Sequence, residues 1–98
     1  MRRFEHPRAN LVETDDGRIR VEVLGRVGIR YTEDDRSCLI DSEVLASEKP
    51  AVAVWRSSIR SWDPPHDDEA LSDHDRERIL ANVKEAFASQ DWRLDVIG

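Results

Sequence analysis

One cysteine in 98 residues leaves Cys38 without a partner in the chain, so no internal disulfide can hold the fold, and a lone thiol fits a reducing compartment. Long apolar runs are missing as well. Nothing approaches the roughly 18 residues of a membrane span, and the basic start Met1-Arg2-Arg3-Phe4 leads into no apolar signal segment. The expectation is a cytoplasmic protein that does not engage a membrane. A surplus of positive charge is also absent: 15 Lys+Arg stand against 21 Asp+Glu, a formal net charge of −6. With no local basic run either, nucleic-acid binding is disfavoured. The one route back to it is a sheet face shared by Arg18, Arg20, Arg30, Arg56 and Arg60. Catalytic signatures are missing too. There is no G-x-S-x-G, C-x-x-C or H-E-x-x-H, and the histidines fall apart, with His6 near the start, His66 in a loop and His74 in a first helical turn. A carboxylate pair working as acid and base needs one member in an apolar pocket, whereas the acids here crowd on polar segments. The sequence therefore predicts no catalytic residue.

What is present is a globular composition, 39% hydrophobic and 37% charged, in a length that supports one modest core. Residues 1–9 are charged, contain Pro7 and show no apolar period, which predicts a flexible tail ahead of a single domain over 10–98. Leu11–Thr14 reads as a short strand, and Asp15-Asp16-Gly17 as a tight hairpin turn. Arg18–Leu24 is the clearest strand, with Ile19, Val21 and Val23 on one face and charges on the other. Gly25-Arg26-Val27-Gly28 reads as a turn, because the strands flanking it fit neither a phosphate loop nor an RNA clamp. Ile29–Thr32 continues the sheet, Glu33–Arg36 is a polar turn, and Ser37–Leu45 is β-like with a bulge or break near Asp41–Glu43. Ser47–Pro50 is a loop. Ala51–Ile59 is the most buried-looking strand, since Ala51-Val52-Ala53-Val54-Trp55 is apolar on both faces. Cys38, in a strand-like run, reads as a small buried hydrophobe.

The stretch Ile59 to Ser72 changes the character of the chain. Pro64 and Pro65 fix φ and remove two backbone donors, so neither strand nor helix can run through them. Ser72 follows as an N-cap with Asp75 three residues on, and a helix is predicted over about 73–88. Its apolar stripe is Ile79, Leu80, Val83, Ala86 and Phe87. Trp92–Ile97 alternates like a closing strand. The predicted fold is α+β: a curved antiparallel sheet of five or six strands, one helix from the C-terminal half packed on one face, and a final strand.

Charge is concentrated at this hinge. Residues 1–62 carry 11 basic and 11 acidic side chains, whereas residues 63–77 carry seven acids against Arg76 alone. That surface predicts binding to a basic partner, with Trp62, Asp63, His66, Asp67, Asp68, Glu69 and Asp73 as candidate contacts. Trp62 either packs under the helix start or stands partly exposed as an interface anchor, with packing favoured. Trp55 and Trp92 read as core. The acids lack the alternating oxygens and the glycine of a calcium loop, and one histidine makes no zinc set, so no metal and no cofactor are expected.

The segment Ile59-Arg60-Ser61-Trp62-Asp63-Pro64-Pro65-His66, then acids, Leu71-Ser72 and a helix with Arg78-Ile79-Leu80, resembles the small immunity proteins of bacterial polymorphic toxin systems, in particular the family numbered seventy-four. Arg18-Ile19-Arg20-Val21-Glu22-Val23-Leu24-Gly25-Arg26 through Tyr31, with Ile40-Asp41-Ser42-Glu43, is similar to it as well. The resemblance spans about residues 18–97. It implies a non-enzymatic cytoplasmic protein that binds and neutralises a toxin, and it carries over no contact residues. Nuclease toxins need basic clefts to hold phosphates, so an acidic surface would both steer association and occlude the cleft. The alternative is a small ligand-binding or accessory domain holding its ligand between sheet and helix. The sequence offers no convergent polar set for that, which makes a small-molecule ligand the weaker expectation.

Overall fold

The computed structural model describes residues 3–8, 10–25, 28–45 and 51–98. Five strands form an antiparallel meander in chain order: β1 (Phe4–Arg8), β2 (Leu11–Thr14), β3 (Ile19–Val23), β4 (Ile29–Glu33) and β5 (Arg36–Ile40). A second sheet has the order β6 (Ser42–Leu45), β7 (Ala51–Trp55), β8 (Arg93–Ile97). Among the described residues one long helix, α1, runs Asp73–Ala88 between β7 and β8. Residues 26–27 of the expected Gly25–Gly28 turn and the expected Ser47–Pro50 loop lie outside the described residues.

The meander follows from alternation. Val21 lies opposite Val12 on one side and Tyr31 on the other, and Tyr31 lies opposite Cys38. All four are buried in a row across the sheet. The other face is a ladder of opposite charges, with Arg8 on Glu22 at 2.7 Å and Arg20 on Glu13 at 3.1 Å. Such cross-strand pairs are worth only tenths of a kcal/mol each, but they keep that face polar. Burial pushes the Cys38 thiol up to about 12, so it is an inert packing residue.

Residues 4–8 lie within the stretch expected as a flexible tail. They form β1, paired with β2 through Phe4 opposite Thr14 and Glu5 opposite Glu13. An edge strand needs no apolar period, because backbone hydrogen bonds on one side hold it. Pro7 sits where the register shifts between Glu5 and Arg8, the place in a sheet that tolerates proline.

The break expected near Asp41 is the point where the chain leaves one sheet for the other. The Ser58 hydroxyl clamps this corner, accepting from the Asp41 N–H at 2.9 Å and donating to the Trp55 carbonyl at 2.6 Å. Gly28 packs under the same corner, where a Cβ would run into the Ile40 carbonyl and φ is +125°. β7 is buried on both faces, as its sequence implies, but it ends at Trp55 and passes into a 3-10 turn at Arg56–Ser58.

The final strand closes the smaller sheet, pairing parallel to β7 with Val52 opposite Leu94 and Val54 opposite Val96. A strand, a crossover helix and a return to the neighbouring position force that direction. The helix lays Ile79, Val83, Ala86 and Phe87 over both sheets, into one core with Val12, Ile19, Val21, Ile29, Tyr31, Ile40, Val52 and Val54. Trp92, read as core, is half-buried against Phe87 with ring centroids 5.8 Å apart, and Trp55 is half-buried too.

Candidate partner-binding surface

The hinge folds into a closed loop. Its neck is a bridge between Ser61 and Ala70, and inside it the His66 N–H bonds the Asp63 carbonyl and the Glu69 N–H bonds the His66 carbonyl, each at 3.0 Å. These are two successive turns of the kind that proline and Asp favour, and the Pro64–Pro65 peptide is cis. The loop runs along the edge of β5, where the Asp63 N–H donates to the Ser37 carbonyl at 2.7 Å. It rejoins a helix whose start is as expected. The Ser72 hydroxyl accepts the Asp75 N–H at 3.1 Å, and the Asp75 carboxylate accepts the Ser72 N–H at 3.0 Å.

Side chains fasten this loop to the larger sheet. Trp62 is 5% exposed and stacks on Tyr31, with ring centroids 6.4 Å apart and planes 25° apart. Of the two roles open to it, the structure assigns packing. Asp63 takes the Arg30 guanidinium at 2.6 Å. Glu69 receives Arg36 twice on one oxygen, at 3.0 and 2.8 Å, and His66 Nδ1 on the other at 2.8 Å. The Arg36 guanidinium, helped by His66, holds the Glu69 carboxyl below its ordinary range. Across from it, His66 Nε2 lies 3.5 Å from the Asp35 carboxylate in the β4–β5 turn.

The seven acids of residues 63–77 are therefore not a bare patch. Arg30 pairs with Asp63, Arg36 with Glu69, Arg76 with Asp73, Arg78 with Asp75, and Arg56 with Glu77. Asp67 and Asp68 are left exposed and without an ion-pair partner among the described residues. The candidate contacts thus divide. Asp67 and Asp68 stand at the tip, Asp73 is exposed beside Arg76, and Asp63, His66 and Glu69 are half-buried struts. Sequence reasoning missed Asp35, Arg36 and Arg30, which the sheet brings to the loop from some thirty residues away. Only a carboxylate-rich turn facing an arginine-bearing strand hinted at them.

The arginines do not form a basic face. Arg20 and Arg30 lie on the outer side of the larger sheet, each on a carboxylate, while Arg18 pairs with Asp34 at 2.8 Å and Arg56 with Glu77. Between sheet and helix the space is filled by the core. At its end opens a polar cleft of about 350 Å3 lined by Thr14, Arg18, Glu33, Asp34, Arg78 and Asn82. Its groups satisfy one another. Arg78 grips Glu33 at 3.1 and 3.0 Å, the Tyr31 hydroxyl donates to Glu33 at 2.9 Å, and Asn82 donates to Tyr31 at 2.9 Å. Burial, above all, pushes the Tyr31 hydroxyl far above its ordinary value, so it acts as a fixed donor tying helix to sheet. Among the described residues no cluster of His, Cys, Asp and Glu is placed to hold a metal ion, and no helix is long and apolar enough to cross a membrane.

Residues 20–97 match the family model for immunity protein 74. No curated protein and no solved structure matches the chain.

Proposed function

The chain belongs to the immunity protein 74 family, and from that premise we propose that it is a non-enzymatic cytoplasmic inhibitor whose 61–70 loop docks on the basic surface of its cognate toxin. The observation that carries this reading is the contrast within the loop. Five acids of the hinge and helix start spend their charge on arginines of the same chain, while Asp67 and Asp68 are held out at the tip of a braced loop. A rigid, preformed acidic tip loses little conformational entropy on binding, which favours affinity. Its charge acts on encounter with a cationic cleft more than on the lifetime of the complex. A cleft that holds nucleic-acid phosphates is cationic for that purpose, so a nuclease domain is the toxin chemistry this surface fits.

The test is binding kinetics against a candidate basic toxin domain, at several salt concentrations. Asp67→Asn with Asp68→Asn should slow association about tenfold at low salt and flatten its salt dependence. At about 0.15 M the Debye length of roughly 8 Å already screens much of a surface patch. Stability should not move, because neither side chain has a bonding partner among the described residues. Unchanged association with an unchanged salt slope would mean that the loop is not the recognition surface.

A further inference from the structure

The two sheets have four outer strands, and three of them offer little to another chain. β1 carries Pro7 and a register shift, both of which blunt an edge. β5 is capped at Ser37 by the hinge. β6 exposes Val44 at 52% but is only four residues long, and its one charge, Glu43, would find no opposite charge on a second β6. The remaining edge is β8, the end strand of the smaller sheet, where Val96 is 46% and Ile97 45% exposed. Beside it runs an open groove along the flank of α1, lined in part by Leu80, Ala81, Lys84, Leu94 and Val96. An exposed apolar edge strand is a template for pairing with another strand.

The order of residues in β8 says which strand fits. Arg93 and Asp95 flank Leu94 symmetrically and lie on the same face, where they touch at 3.2 Å. Place a second copy of the strand antiparallel with Leu94 facing Leu94. Arg93 of each copy then faces Asp95 of the other, on both sides of the two-fold axis, and Trp92 faces Val96. Directly opposed unlike charges and apolar pairs stabilise an antiparallel ladder, while like charges oppose it. Centring the pair on Asp95 would face carboxylate with carboxylate, and centring it on Arg93 would face guanidinium with guanidinium. β6 has no such symmetry, because Glu43 meets no cation on a second β6 in any register.

We propose that β8 is a homodimerisation edge, with two copies joined β8 to β8 antiparallel about Leu94 into one continuous sheet of two three-stranded halves. The interface is isologous, as a closed dimer requires. The groove beside α1 meets its two-fold copy there. No residue of the acidic loop takes part, so this inference stands or falls separately from the toxin reading.

Sedimentation equilibrium from low micromolar to near-millimolar concentration tests it through charge reversal. Arg93→Asp sets Asp against Asp, and Asp95→Arg sets Arg against Arg. Each should weaken dimerisation about tenfold or more, the size of two reversed cross-strand pairs. The double variant restores complementary pairs and should dimerise like the parent. An equimolar mixture of the two single variants should form a heterodimer. Both side chains are exposed, so circular dichroism should find every variant folded. A parent chain that stays monomeric throughout, or single variants that dimerise as well as the parent, would overturn the proposal. So would a monomeric parent whose reversals weaken capture of the toxin, since β8 would then serve that partner's strand.

Discussion

Removing the Trp62 indole separates a packed residue from an interface anchor. The ring is 5% exposed, lies on Tyr31 and belongs to the same core as Ile59, Leu71 and Ile79, so Trp62→Ala empties a site enclosed by sheet, hinge and helix. Truncating a buried Trp or Phe to Ala costs about 3–5 kcal/mol, because the transfer free energy is lost and the cavity only partly collapses. A domain of this size is stable by about 5–15 kcal/mol, so the loss is a large share of the total. In Tm it corresponds to a drop of at least about 12 °C, taking about 4 °C per kcal/mol for a chain near this length. Trp62→Phe keeps an aromatic face on Tyr31 and should lose much less. The assay is urea unfolding followed by far-UV circular dichroism, which does not rely on the fluorescence of the residue removed. A loss below about 1 kcal/mol, the range of surface substitutions, together with faster dissociation from the toxin, would refute the packing assignment.

Two further outcomes follow from the helix. Phe87 is 1% exposed and faces both sheets, so Phe87→Ala should also cost about 3–5 kcal/mol in urea unfolding, and a loss below about 1 kcal/mol would mean the helix face is wrongly assigned. Asp75 is held down to about 2 by the Ser72 N–H and then by Arg78, below its ordinary 3.8. Its folded value lies below its unfolded one, so its contribution is full above about pH 4 and is lost as the pH falls toward about 2. Asp75→Asn should therefore be less stable than the parent near neutral pH, and the gap should close in that acid window. A gap that persists unchanged at about pH 2 would count against this carboxylate as the cause.

Much of the fold was legible because single elements carry their own signal. The alternation of Ile19, Val21 and Val23 fixed both a strand and its inner face, and Ser72 with Asp75 marked the start of a helix that runs from Asp73 to Ala88. What could not be read were facts about pairs of elements. β1 has no apolar period because its strand character rests on backbone bonds to β2. The parallel direction of β8 depends on where the crossover helix delivers the chain, and Arg93–Ile97 would look the same in either direction. The division into two sheets turns on one corner at Asp41, which its own sequence marks only as a break in alternation.

The candidate surface shows the same limit with more consequence. Summed along the chain, residues 63–77 carry a net charge of −6, and that sum suggested a broad acidic face. Folding brings Arg30, Arg36 and Arg56 onto it from β4, β5 and the 3-10 turn, with Arg76 and Arg78 from the helix itself. Pairs this exposed contribute at most about 1 kcal/mol each, so they are a poor account of stability. Their effect is to place charge. Each guanidinium offsets a carboxylate of the hinge or of the helix start, so the net negative field near this surface comes from the groups left unpaired. On the proposed reading, a partner approaching the hinge meets Asp67 and Asp68 on a braced tip, not seven acids spread over a flexible stretch. Geometry has turned a diffuse sequence signal into a small surface of defined position, which is what selective binding of one cationic partner needs.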